Sequence, residues 1–516
     1  MNSRHSVFLL SFILAFCSFS YEIILAFVVA KITGHDILSQ TISIGSFIVG
    51  LGLGAFYIEK RPQNNKAGFL LNIEILLSLV GGLGVFFVFA WDAFLTLFLA
   101  KESFLLFFIP VQLYIVIIGF LSGLELPNLL DEKFEENKVL GFHYFGTLVS
   151  SLLIFSWFIP QIDVLNTVIL IAYINLMVGL YLYLKSYQRV QSLLGLSAVS
   201  ILLVLLMLFS APIYNSYLKV FYFQPSLKSF SDLSNVSRII DLRPDVRRYR
   251  SKYQYIDFID DNEKGDPSLI MYLDHRKQFS STHEHIYHEQ MVHIPMQLTS
   301  NAKNILVLGG GDGLIVRELL KYNFVQQVTL VELDQDVLNF ATTDLKFLEI
   351  NQNSLSDGRV KIIVNDAISF IRKNKVKYDA VFLDFPYPNN YDLAKLYSLE
   401  FYKAVKSSMT ENAFMVLDYP IDKYAAGSSF INEVILSTLE FAGFQNNFVY
   451  GEEDTFVLSK FENSNIDRNT QFRFLSERAK KELLFRDDVI QNTKINKSRV
   501  NSLFKPQTLQ IRRTGW

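Results

Sequence analysis

Asn304-Ile-Leu-Val-Leu-Gly-Gly-Gly-Asp-Gly-Leu-Ile-Val-Arg-Glu-Leu319 decides the fold of the second part of this chain. Four apolar residues, too few for a helix, run into a glycine turn, and an apolar stretch at helical spacing follows. The stretch therefore predicts a buried strand, a tight loop and a helix. Working outward, the same alternation recurs. Strands are expected at 304–308, 328–333, 360–364, 378–384 and 413–417, and helices at 314–322, 337–343, 369–373 and 395–407. Strands alternating with helices predict a parallel sheet covered on both faces, a Rossmann-like α/β domain.

Open parallel sheets bind ligands beyond the carboxyl ends of their strands, and four carboxylates are placed there: Asp312, Glu332, Asp366 and Asp384. The loop Gly309-Gly310-Gly311-Asp312-Gly313 allows close backbone approach to a ligand. It lacks the third spaced glycine of a dinucleotide fingerprint, and its aspartate repels a pyrophosphate while suiting a cation. Glu332, 23 residues after Gly309, is placed to accept from ribose hydroxyls. Asp366, with Ala367 beside it, is placed to accept from an adenine amino group. Together these residues predict an adenosine nucleoside without phosphates. The competing reading of Glu332 and Asp366 is that of solvated helix caps.

Before this domain, short strands at 253–260 and 269–273, separated by a turn-forming stretch at 260–267, predict a small antiparallel hairpin. A helix at 283–297 follows, carrying Tyr287, His288 and Glu289.

The first part of the chain has another composition. Residues 1–211 hold 22 of the 98 Asp, Glu, Lys and Arg residues, and 212–516 hold the other 76. A helix needs about 20 apolar residues to cross a bilayer. About seven such spans are expected, near 7–32, 38–58, 68–90, 103–125, 139–160, 163–184 and 191–211, with 92–100 too short to cross alone. The expected organisation is a transmembrane helical bundle (1–211), a linker with a small antiparallel β region (212–282), the Rossmann-like catalytic domain (283–460) and a C-terminal tail (461–516).

Glu22, Glu74 and Glu125 interrupt apolar spans, where a charge is costly. They read as helix-locking hydrogen-bonding groups, with transport or proton handling as the alternative. The runs 45–54 and 81–84, rich in glycine, predict close helix packing. Cys17 is the single cysteine, which excludes an intrachain disulfide or a thiolate cluster and reads as a buried thiol. His283, His285, His288 and His293 lie close together without a cysteine partner, so no metal is expected. A formal net charge of −2 gives no indication of a nucleic-acid partner. Lys60, Arg61, Lys66, Lys185 and Arg189 favour cytoplasmic loops after the second and sixth spans. With seven spans this puts the soluble domain outside. A nucleoside made inside cells requires the reverse, and a cytoplasmic catalytic domain on a bacterial inner membrane is the expectation adopted.

From about Gln254 to Lys460 the chain resembles the spermidine synthase, or polyamine aminopropyltransferase, family. Gln254 resembles the family's early nucleoside-contacting glutamine and Tyr287-His288-Glu289 its Tyr-His-Glu motif. Gly309–Gly313 resembles its GGGDG loop, Glu332 its ribose-binding acid and Asp366-Ala367 its adenine-binding pair. Asp384 falls on the catalytic aspartate, and Tyr450 loosely matches a late substrate-contacting tyrosine. The membrane part and the tail ending in Trp516 resemble a bacterial subgroup in which this domain is fused to a helical bundle.

The resemblance implies transfer of an aminopropyl group from decarboxylated S-adenosylmethionine, a co-substrate rather than a prosthetic group, to putrescine or a similar amine. Spermidine and methylthioadenosine would be the products. Asp384 is then the general base, Asp312 the partner of the donor's ammonium or sulfonium side, and Tyr287 and His288 contacts for the acceptor. One position departs from the pattern: Asp384-Phe385-Pro386-Tyr387-Pro388-Asn389 has Tyr387 where the subgroup carries a second aspartate that helps hold the amine. Two other readings keep the same residues: another S-adenosylmethionine-dependent transfer, such as methylation, and a polyamine transporter or sensor whose soluble domain only binds ligand. A lipid bilayer and a small amine are the expected partners, with a homo-oligomer open.

Overall fold

The structure, a computed structural model, describes residues 4–34, 36–60, 65–99, 104–130, 136–186, 189–225, 227, 235–261, 268–299, 301–388, 390–419, 421–422, 429–460 and 472–509. Arg61, Asn389, Trp516 and most of the turn at 260–267 lie outside the described residues. The chain forms two compact units, Met1–Val246 and Arg247–Trp516.

In the first unit, seven helices are long and apolar enough to cross a membrane: α1 (His5–Thr33), α2 (Ile37–Lys60), α3 (Lys66–Leu99), α4 (Phe104–Leu129), α5 (Glu136–Ile162), α6 (Val164–Lys185) and α7 (Val190–Phe223). Their number agrees with the sequence reading, but two lengths do not. α3 continues through 92 to Leu99, and Asp92, which interrupts the apolar run, is buried and accepts a hydrogen bond from Tyr217 at 3.0 Å. α7 passes the expected end at 211 with Pro212 inside it, so the expected domain boundary falls within a helix and the unit ends at Val246.

Glycines set the helix spacing. A Cβ on Gly50 would stand 2.4 Å from the Val116 carbonyl, and one on Gly119 2.3 Å from that of Phe47, so α2 and α4 meet backbone to backbone. Gly45 and Gly52 face open space instead. Gly81 of α3 takes the ring of Tyr21, and Cys17 is buried with its thiol toward the Ile171 carbonyl.

The second unit opens on a four-stranded antiparallel sheet in the order β1 (Val246–Arg250), β2 (Tyr255–Asp261), β3 (Ser268–Leu273) and β4 (Arg276–Ser280). The expected hairpin is its middle. Its outer strands carry too many charged residues for the apolar pattern to find them: Arg247, Arg248 and Arg250 on β1, Arg276 and Lys277 on β4. Arg248 repays its place by a bidentate pair with buried Asp257, both bonds 2.6 Å. Helix α8 (Glu284–Thr299) follows.

The large sheet has β5 (Asn304–Gly309), β6 (Gln327–Glu332), β7 (Val360–Val364), β8 (Tyr378–Asp384), β9 (Met409–Asp418), β10 (Asn446–Tyr450) and β11 (Phe456–Lys460). Their spatial order is β10-β11-β9-β8-β5-β6-β7, with β7 to β9 parallel and the β10–β11 hairpin antiparallel at one edge. Helix α9 (Leu314–Leu319) follows the glycine loop, α10 (Gln335–Thr343) follows β6, and α11 (Ala367–Lys373) follows β7. The central runs 305–308 of β5, 380–383 of β8 and 413–417 of β9 are apolar and buried because both faces are covered. Chain order reverses between β5 and β8, so the crevice beyond their carboxyl ends is the topological switch point. The expected tail is in part integral to this unit: Asn501 donates to the carbonyls of Ala394 and Tyr397.

Candidate active site

A cavity of about 940 Å³ opens at that switch point. β5 delivers the glycine loop and β8 delivers Asp384 in register, Gly309 opposite Asp384. Gly309 has φ +84°, and a Cβ there would lie 1.9 Å from the Asp384 carbonyl oxygen. Only glycine allows the loop to turn this close to the neighbouring strand. Past the turn, Asp312 accepts from the backbone N–H of Leu314 at 2.9 Å, which fixes its carboxylate over the start of α9.

One end of the cavity is built for a nucleoside. Glu332 ends β6 and accepts from the Asp334 N–H at 2.8 Å. Asp334 caps α10 through the Asp336 N–H (3.1 Å) and accepts from Ser251 (2.6 Å) and from the Gln254 amide (2.9 Å). That one carboxylate ties Gln254 to the large sheet. Asp366 caps α11 by accepting from Ser369 at 2.8 Å and also lines the cavity with Ala367. The cap and ligand readings of Asp366 are thus compatible.

The other end gathers carboxylates and phenols. Tyr287 donates to Asp384 at 2.9 Å and stands 3.4 Å from Asp418, the last residue of β9. Tyr387 reaches Asp418 at 3.4 Å with its hydroxyl, while its carbonyl accepts from Arg276 at 3.1 Å. His288 shares its Nδ1 with the carbonyl (2.7 Å) and carboxylate (2.9 Å) of Glu284, and Arg317 clamps that carboxylate at 2.8 and 2.9 Å. His288, Asp312 and Asp384 each offer an atom within 4.8 Å of the others. Three such groups could hold a divalent ion, and equally the ammonium and sulfonium groups of cationic substrates.

The electrostatics fit a cation of either kind. Burial, then the charge of Asp312, pushes Asp384 up to about 6. Burial, then Asp454 and Asp384, pushes Asp418 well above the usual carboxylate range. Burial pushes Glu332 up to about 7, against the lowering bond from the Asp334 N–H and with the charges of Asp334 and Asp312. Burial works against a charge on His288, but its bond to Glu284 and the charge of Asp312 raise it. Carboxylates crowded in this way are stabilised together by a cationic ligand.

Of the residues singled out in the sequence, Gln254, Tyr287, His288, Gly309, Gly311, Asp312, Glu332, Asp366, Ala367, Asp384 and Tyr387 all line this cavity. Tyr450 does not. Its ring is fully buried against Phe456, and its hydroxyl meets the Gln290 carbonyl at 3.4 Å. Asp334, Asp418, Tyr419 and Asp454 line the cavity and were missed. Asp418 could have been found, since it ends an apolar strand just as Asp384 does.

A Spermine/spermidine synthase domain matches residues 284–436. The polyamine aminopropyltransferase of Oceanobacillus iheyensis is 30% identical over 528 aligned positions, covering 98% of this chain and 96% of the relative. The chain belongs to the polyamine aminopropyltransferase family. The relative of the same name from Leptospira interrogans is 28% identical and covers 83% of this chain and 82% of its own length. A crystal structure of spermidine synthase from Thermotoga maritima is 21% identical over 52% of this chain and 88% of its own, with a TM-score of 0.37. This aminopropyltransferase is an enzyme of the spermidine synthase type.

Proposed function

We propose that this enzyme moves the aminopropyl group of decarboxylated S-adenosylmethionine to putrescine or a similar amine, and that its first unit spans a membrane. The observation that carries the reading is Asp384, on the switch-point strand, facing a glycine loop with its own aspartate and bonded to Tyr287.

In this reading the nucleoside lies along Gln254, Glu332, Asp366 and Ala367, with the ribose hydroxyls donating to Glu332. Asp312 holds the donor's ammonium near the loop. The acceptor amine enters between Tyr287, His288 and Asp384. It gives up a proton to Asp384, and the nitrogen lone pair attacks the carbon next to the sulfonium. A C–N bond forms, the C–S bond breaks with its electrons going to sulfur, and the neutral thioether methylthioadenosine leaves. A base near pH 6 suits proton removal at neutral pH.

Tyr387 lacks the charge that the subgroup places at its position, and Asp418, 3.4 Å from its hydroxyl, offers a carboxyl that a bound ammonium would hold in the charged form. Its contacts with Tyr287 and Tyr387 support a role in holding the far ammonium of a diamine. The seven apolar helices support the membrane assignment, and a cytoplasmic catalytic unit follows from where the donor is made.

Purified full-length protein incubated with decarboxylated or intact S-adenosylmethionine and a panel of amines tests the proposal. Spermidine and methylthioadenosine identified by mass with putrescine and the decarboxylated donor are the expected result. Release of S-adenosylhomocysteine instead would falsify it.

A further inference from the structure

The first unit holds a buried polar cluster that the transfer chemistry does not use. Ser18 and Tyr21 come from α1, Glu74 from α3, Ser122 and Glu125 from α4, and Asn175 from α6; each is buried. α4 is interrupted at Leu124, where the N–H of that residue turns to the Leu121 carbonyl, and Glu125 follows directly.

These side chains share one region. Gly82 of α3 lies against Ala172, with its Cβ position 2.9 Å from the alanine Cβ, and Gly179 lies 3.5 Å from the Glu74 Cβ by the same measure. α3 and α6 are therefore antiparallel here, and Asn175 stands opposite Ser78, one turn from Glu74. Tyr21 lies on Gly81, and it interacts electrostatically with both Glu74 and Glu125. The two carboxyls are close enough to share a hydrogen.

Ser18 donates to Glu125 Oε2 at 2.9 Å. Both oxygens of Glu74, Oε1 of Glu125, the Tyr21 hydroxyl, the Ser122 hydroxyl and both ends of the Asn175 amide have no hydrogen-bond partner. Among the described residues no basic side chain pairs with either glutamate. Two buried carboxyls without a counter-charge require a cation or a proton. A single shared proton satisfies one oxygen of each carboxyl and leaves Tyr21, Ser122 and Asn175 as they are. A cation with several N–H donors can serve both carboxyls, the Tyr21 and Ser122 oxygens and the Asn175 carbonyl oxygen together.

We propose that the seven-helix unit carries its own binding site for a linear protonated amine, formed by Tyr21, Glu74, Glu125 and Asn175. The choice of an amine rests on the aminopropyl-transfer reading; the need for a cationic donor does not.

The test is equilibrium binding of tritiated spermidine to full-length protein in nanodiscs, with saturating methylthioadenosine, alongside turnover of the same sample. Wild type is expected to bind two amines per chain. Glu74→Gln with Glu125→Gln should bind one, with kcat/KM for the transfer within about twofold of wild type. Asn175→Leu, which keeps both carboxyls, should weaken the second site about tenfold and decides the question if the double variant does not assemble. Amine number and affinity unchanged from wild type in every variant that assembles overturn the proposal and leave Glu74 and Glu125 with a shared proton. Loss of one bound amine in a protein without turnover supports this site and counts against the transfer reading alone.

Discussion

At the scale of single residues, Asp384 and Asp418 are alike in position, each ending a parallel strand, and differ in task. Asp384→Asn removes the proposed base and should lower kcat by about 10²- to 10⁴-fold. Because Asp384 sits near 6 in the free enzyme, kcat/KM of wild type should rise about tenfold per pH unit below 6 and level off above it. A rate profile over pH 5 to 9 checks both, since the variant should lack that limb. Asp418→Asn should raise the KM for a diamine roughly tenfold and leave that for the donor unchanged; equal rises in both would exclude a role confined to the acceptor. At this scale most of the site was legible. Glycines and acids at strand ends carry their chemistry in their spacing, so all but Tyr450 of the singled-out residues meet in one cavity. Asp334 was hidden because its work is indirect, and Tyr450 misled because an apolar strand can bury a tyrosine for packing alone.

At the scale of elements, one carboxylate or one ion pair joins pieces that the sequence shows only separately. Asp334→Ala removes a helix cap and the anchor of Ser251 and Gln254, so a loss of about 1 to 2 kcal/mol is expected with a higher KM for the donor. Thermal melting and steady-state kinetics on one preparation measure the two effects. Between α8 and α9, Arg317 clamps Glu284 and also bonds Glu318, which accepts from His293 at 2.6 Å. Burial raises Glu284 and Glu318, but His288 and Arg317 on one side, and His293 and Lys321 on the other, hold both down to about 2. Carboxylates held low contribute stability that is complete above their unfolded value, about 4.3, and is lost as pH falls toward 2. Arg317→Met should therefore cost on the order of 3 to 5 kcal/mol at pH 7. The gap to wild type should narrow as the pH drops from about 4, as followed by melting temperature. The strand and helix order of the large sheet followed from apolar periodicity. The outer strands of the small sheet did not, because arginines and lysines on an edge conceal alternation.

At the scale of the whole molecule, composition alone separated two units, and the error lay in where the first one stops. The spans expected to end at 90 and 211 run on, since an aspartate can be satisfied by a tyrosine four helices later in the chain and a proline can sit inside a long helix. If the first unit spans a bilayer, the enzyme should stay in the membrane pellet after an alkaline carbonate wash and leave it with detergent; recovery in the wash would remove the assignment. The join between Gly309 and Asp384 reaches furthest in time rather than in space. No side chain fits at 309 while the carbonyl of 384 stays where it is. That carbonyl belongs to the backbone, which every residue type carries, so a lineage can exchange the base at 384 and keep the loop. It cannot exchange the glycine at 309 without moving the strand, and descendants that turn the fold to other chemistry are expected to change the base and keep the turn.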